Sequence, residues 1–292
     1  VSASSELIAV GDNCLDVYLS KDRMAVGGNA LNVAVQWARA GLSARYFGLI
    51  GHDPEGDAIH EAVARTGLNP DDMERREGST AVTLLLERDG DRRFLLEDLG
   101  VGLGYVPEGQ RLADMLAARW VHLGTHSAPD LVRRLVAEGA RFSVDVSTHH
   151  DLLDLAGVPL VFASGPEDPA EPVEPLLAHF RDRGAISTVV TCGSRGAFLD
   201  NRGSVTQVRA RRIEVVDTCG AGDSFIARFI ALWALEGRAD ADALRGASDA
   251  AANTCLHEGG FPQPLRSIPS WLLEKYSDVI AAGEVRDGNA QA

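Results

Sequence analysis

A three-layer α/β fold with a mostly parallel central sheet is predicted by two patterns in the chain. Short apolar runs, "ELIAVG", "ARYFGLIG", "RWVHLG", "RFSVDVS", "LVFAS" and "STVVTCG", each end near Gly, Ser or Asp, as strands buried on both faces do. Between them lie "NALNVAVQWARAG", "GDAIHEAVARTG" and "APDLVRRLVAEGA", whose apolar residues recur at three- and four-residue spacing and which stop at glycine. Strand and helix alternating in this way place a parallel sheet between two helical layers.

Two segments break that rhythm. "CLDVYLSKDRMAV" and "TAVTLLLERDGDRRFLLEDL" read as antiparallel strands, the second a hairpin turning at Asp89-Gly90. They predict a small β-sheet lid, spanning about residues 14–27 and 79–99, that stands off the main sheet. One domain over residues 1–264 is expected, followed by a helical segment and polar tail over 265–292 whose end, "GEVRDGNAQA", frays.

The chain has 292 residues, 45% of them hydrophobic, enough to bury a full core. A formal charge of −14 argues against a nucleic-acid partner, because neutralising phosphates needs clustered cations. Arg209, Arg211 and Arg212 are accordingly read as a solvated strand edge. No apolar stretch approaches membrane-spanning length, and "VSASSELIAVGDN" lacks a basic segment followed by a long apolar one, so a cytoplasmic protein without a membrane partner is expected. Cys14, Cys192, Cys219 and Cys255 form no CxxC pair, which fits reduced thiols. With no GxxxxGK[ST] and no GxGxxG after the first strand, the common phosphate loop and dinucleotide fold are disfavoured.

The segment "VVDTCGAGDSF", residues 215–225, carries the chemistry. Ile226, Phe229, Ile230 and Trp233 share a helical face, so a buried helix begins at the glycines. Its first turn offers unpaired N–H groups and a partial positive charge, and glycines let a phosphate approach them: an anion hole of Gly220, Ala221 and Gly222. Asp223 lies in the same turn, where the helix dipole is expected to favour its ionised form and a carboxylate can take the proton of an attacking hydroxyl. The alternative is a helix-capping Asp223 beside glycines that tighten a bend.

"DTCGAGDSF" resembles the C-terminal signature of the PfkB, or ribokinase-like, carbohydrate kinases; "VGGNALNVAVQWARAG" resembles their N-terminal signature, and "TCGSRGAFL" their nucleotide-binding turn. The resemblance spans about Glu6 to Pro264 and implies an ATP- and Mg²⁺-dependent sugar kinase with a β-sheet lid. It implies Asp223 as catalytic base; Asp16, Gly28 and Asn32 as sugar-binding residues; and Thr191, Gly193, Ser194 and Gly196 as the ATP turn. Asp217 matches a monovalent-cation ligand, which would add K⁺. Glu167 matches the acid of an N-x-x-E element that organises Mg²⁺ and phosphate indirectly, but Ser164 stands where that element has asparagine. Cys14 likewise replaces a ribokinase-type asparagine in "GDNCLD".

Arg92 and Arg93 at the hairpin tip read as solvated charges, with Arg92 the candidate to close over a substrate. His122 and His126 fall on a strand and its loop, where a metal site is not expected. "GDNCLDVY" followed by "GGNALNVAV" is most similar to the branch of the family that phosphorylates O6 of fructosamines such as fructoselysine. A ketose, ribose or nucleoside kinase and a non-catalytic sugar or nucleotide sensor stay open, as does a homodimer.

Overall fold

The computed structural model describes residues 6–88, 91–264 and 266–289. The chain enters as β1 (Leu7–Val10), crosses into the antiparallel pair β2 (Cys14–Tyr18) and β3 (Arg23–Gly27), and turns into α1 (Asn29–Arg39). "ARYFGLIG" forms two strands, β4 (Ala44–Phe47) and β5 (Leu49–Gly51). The Gly48 carbonyl between them accepts from Glu74 N at 2.9 Å, which draws β5 off the main sheet. After α2 (Pro54–Val63), β6 (Glu74–Arg76) pairs with β5, and β7 (Val82–Arg88) and β8 (Asp91–Asp98) form the expected hairpin; its Asp89-Gly90 turn lies outside the described residues. Then follow α3 (Gly109–Ala117), β9 (Trp120–Leu123), α4 (Pro129–Ala137), β10 (Phe142–Asp145), β11 (Leu160–Ser164), α5 (Glu174–Asp182) and β12 (Ser187–Thr191). The chain closes with β13 (Ala197–Asn201), β14 (Ser204–Val208), α6 (Ala221–Ile230), α7 (Asp240–Thr254), α8 (Ser270–Lys275) and α9 (Ser277–Asn289).

The main sheet runs β14-β13-β12-β11-β10-β9-β1-β4, parallel from β12 to β4 and antiparallel at the β13–β14 edge. Alternate residues serve opposite layers. Leu7, Ala9, Leu160 and Phe162 share a core with α1, α6 and α7, whereas Ile8, Val10, Val161 and Ala163 share one with α3, α4 and α5. This is the three-layer α/β fold.

Two features depart from the sequence reading. Arg209, Arg211 and Arg212 are not on a strand edge; they follow β14 in irregular backbone, because the ladder with β13 ends at Val208. The backbone of α9 stays helical to Asn289, through residues whose polarity predicts fraying.

The lid is a second sheet of order β3-β2-β7-β8. One face is apolar: Leu15, Val17, Met24, Val26, Val82 and Leu84 pack into a core with Ile59 and Val63 of α2 and with Ile268, Leu272 and Tyr276 near and within α8. The opposite face carries Asp16, Ala25 and Thr83, which are register partners across β2, β3 and β7, with Glu97 of β8 opposite Thr83. Side chains in register share a face. Among the described residues, no helix is long and apolar enough to cross a membrane.

Candidate active site

The strand order reverses direction at β1, whose neighbours are β4 and β9. Open α/β sheets bind ligands at such a point, beyond the carboxyl ends of the strands. Here the N-terminus of α1 sits in that crevice. Gly28 has φ +112°, and a Cβ there would fall 2.5 Å from the Asn13 Cα and 2.7 Å from the Asp12 carbonyl, so only glycine lets α1 start so close to the segment after β1. Asp12 then accepts from Asn29 N (2.7 Å) and Ala30 N (3.2 Å), capping α1 from a distance.

Asn29 joins three carboxylates. Its backbone is held by Asp12, while its Nδ2 donates to Asp145 Oδ2 at 2.9 Å and to Asp223 Oδ1 at 2.6 Å. Asn32, one turn on, donates to Asp223 Oδ2 at 2.6 Å. Both oxygens of Asp223 are therefore fixed from α1. The Trp37 indole, donating to Ala227 O at 3.0 Å, locks α1 against α6. Asn32 is 3% exposed and, like Asn29, leaves its Oδ1 buried without a partner. Asn32 thus sits against the candidate base, a placement that its expected contact with sugar does not anticipate.

Burial and neighbouring charge outweigh the helix dipole at Asp223, so the expectation of a favoured ionised form is corrected. Burial, opposed by the Asn32 hydrogen bond and reinforced by Asp145 and Asp12, pushes its carboxyl up to about 8. Burial also raises Asp145 to about 6, and Asp12 upward. A carboxyl near 8 is well matched to taking a proton at neutral pH.

The turn before Asp223 is set by its glycines. Gly220 has φ +70°, and a Cβ on it would collide with the Gly260 backbone. A Cβ on Gly222 would meet nothing within 4 Å, so the protein's own packing does not require glycine there. Open space beside the α6 amides fits a bound anion. Asp217 anchors the turn, accepting from Cys219 N and Gly259 N, both at 3.0 Å.

Ala221 and Gly222 border a cavity of about 780 Å³ that also meets Ser164, Glu167, Thr191, Gly193, Ser194 and Gly196. It is the size of a nucleotide site. The residues expected to form the ATP turn, and Glu167, thus share one cavity with Ala221 and Gly222. Arg211 and Arg212 line it too, a role that the reading of them as solvated charges missed. Among the described residues, no cluster of His, Cys, Asp or Glu is built to hold a metal. A lone Glu167 suits Mg²⁺ carried on phosphate oxygens and water.

Asp16 lies on the lid face opposite its apolar side, and the Cys14 thiol donates to its Oδ1 at 3.2 Å. Burial and Asp16 hold that thiol neutral, well above its usual range, so Cys14 serves as a donor. Arg92 lies on β8 opposite Glu87; its side chain falls outside the described ones. His122 is core: its Nδ1 lies 3.0 Å from Ser143 Oγ, and burial lowers its pKa to about 3. The residues missed from sequence are Asp12, Asn29 and Asp145. Their signal was position: Asp12 follows β1, Asp145 ends β10, and Asn29 opens α1.

Comparison with known proteins places the chain in a family. The model of the pfkB family carbohydrate kinases matches residues 2–131 and 144–265. Fructoselysine 6-kinase of Escherichia coli (strain K12) is 31% identical over 270 residues, covering 87% of this chain and 99% of the relative. Fructosamine kinase FrlD of Bacillus subtilis (strain 168) is 29% identical over 264 residues, covering 88% and 93%. The structure of Arabidopsis thaliana ribokinase complexed with ribose and ATP superposes with a TM-score of 0.76 at 21% identity, covering 89% of this chain and 96% of that one. The chain belongs to the pfkB family of carbohydrate kinases and is an ATP-dependent sugar kinase.

Proposed function

We propose that this kinase phosphorylates O6 of a fructosamine such as fructoselysine, with Asp223 as the general base. The observation that carries the catalytic part is the position of Asp223. It is a buried carboxylate raised to about 8 and held by two asparagines. It adjoins Ala221 and Gly222 on the large cavity and, through Asn29 and Asp12, the space under the lid.

The sugar hydroxyl oxygen bonds to the terminal phosphorus of ATP as that phosphorus parts from ADP, and the hydroxyl proton passes to Asp223, whose acceptor oxygens Asn29 and Asn32 hold in place. Asp16 accepts from sugar hydroxyls and orients the ring, and Gly28 keeps the lid strand close to the crevice. The amides of Gly220, Ala221 and Gly222 donate to the charge that builds during transfer. Thr191, Gly193, Ser194 and Gly196 would seat the nucleotide, and Glu167 would hold water around a metal carried on its phosphates. When bound, ATP with Mg²⁺ supplies the phosphoryl group and neutralises its charge. A monovalent cation beside Asp217 would stiffen the turn that presents the anion hole; rates in K⁺ and in tetramethylammonium test that assignment.

The substrate class is supported by the two relatives named for fructoselysine and fructosamine. The test is a coupled ADP-release assay over fructoselysine, fructose, ribose and nucleosides. The highest kcat/KM is expected on fructoselysine. A ratio over fructose at or below one overturns the substrate while leaving the kinase.

A further inference from the structure

A second, smaller cavity of about 90 Å³ lies between the lid and the crevice, lined by Asp12, Asn13, Thr83, Glu97, Asp98 and His126 among others. Its acids are not equivalent. Both oxygens of Asp12 are taken by the α1 amides. Those of Asp98 are taken by Gly100 N at 2.9 Å and by the Ser79 hydroxyl at 3.2 Å. Among the described residues, Glu97 has no hydrogen-bond or ion-pair partner, so its carboxylate is the one left to receive a cation.

The wall beneath supplies an independent sign of a ligand. Asn13 is 3% exposed; its Nδ2 donates to the Tyr46 hydroxyl and to Leu49 O, but its Oδ1 is buried without a partner. An unpaired buried carbonyl is costly unless something donates to it. An ammonium or secondary amine brings N–H donors and a positive charge, which answers both Asn13 and Glu97.

Asp16, Thr83 and Glu97 stand in one row across three adjacent lid strands. With strands about 4.8 Å apart, the row spans roughly 10 Å. Asp16 at one end faces the sugar hydroxyls, so Glu97 at the other lies a sugar ring's length away, with the Thr83 hydroxyl between. We infer that the cavity walled by Asn13, Thr83 and Glu97 is the subsite for a cationic amine substituent at the C1 end of the sugar, with Glu97 as the specificity-determining acid. This rests on the fructosamine reading and names the residues that would enforce it. Glu97 is exposed, and pairing with a cation gives an amine-bearing sugar a contact that a plain ketose lacks.

The test compares the wild type with Glu97→Gln and Glu97→Lys, using fructoselysine and fructose. Readouts are the ratio of kcat/KM for the two sugars and, without ATP, the calorimetric Kd of each. Glu97→Gln is expected to lower the fructoselysine-to-fructose ratio at least tenfold, and Glu97→Lys further, with the loss in fructoselysine Kd. If the wild type prefers fructoselysine and both variants keep that preference, the subsite is wrong and the fructosamine reading stands. If the wild type shows no preference, both fall.

Discussion

The reactivity of Asp223 is set by what its neighbours prevent as much as by what they donate. Two asparagine amides favour its charge, while burial, Asp145 and Asp12 oppose it, and the balance lies near 8. In its proposed role as base Asp223 works only when ionised, so kcat/KM is expected to rise with pH along a limb centred near 8 and to level above it; a rate flat from pH 6 to 9 contradicts this. Asn29→Ala removes a donor from both Asp223 and Asp145, and the same limb should move to higher pH as turnover falls. The placement also has a cost in stability. Asp223 ionises near 3.8 when unfolded and near 8 when folded, so its contribution is fully present below about pH 4 and is lost as pH rises through 8. Asp223→Asn removes this dependence, and the partnerless Asn32 Oδ1 can turn to accept from the new amide. The variant's Tm should exceed wild type at pH 8 and converge with it below about pH 4.

At the level of elements, the proposed anion hole puts glycine in the N-terminal turn of α6 at the expense of helix propensity. Gly222 lies inside the helix with free space where a Cβ would go. Gly222→Ala should therefore stabilise the fold by about 0.5–1 kcal/mol in chemical denaturation, as glycine-to-alanine changes in helices do. The same methyl group occupies the approach to the amides, so kcat/KM for ATP should fall. If ATP kinetics are unaffected, the turn is not the anion hole. The lid makes the complementary case: its apolar face is satisfied by α2 and α8, which leaves its polar row facing the crevice. Leu272, fully buried in that contact, should cost about 2–5 kcal/mol as Leu272→Ala.

Across the whole molecule, the sequence patterns that proved readable were the periodic ones. Buried parallel strands such as "LVFAS" and helices such as "NALNVAVQWARAG" announce themselves because one face must repeat. The glycines at 220 and 222 were legible differently, as a break in the apolar pattern just before a helical one. The β13–β14 hairpin went unread: β14 is a largely exposed edge strand, without the apolar run that marked the others. Asp12, Asn29 and Asp145 were hidden differently. No local pattern says that the ends of β1 and β10, 130 or so residues apart, will bring their carboxylates to one asparagine. The same meeting of distant parts is what the proposed mechanism needs, because α1 holds Asp223, α6 carries it, and the lid sheet carries Asp16. The most direct measurement is the turnover of Asp223→Asn on the sugar that the wild type phosphorylates best, with ATP affinity measured alongside. The account predicts a kcat loss of about 10²–10⁴-fold with ATP still bound, the usual range for a lost general base; turnover near the wild-type rate would contradict it.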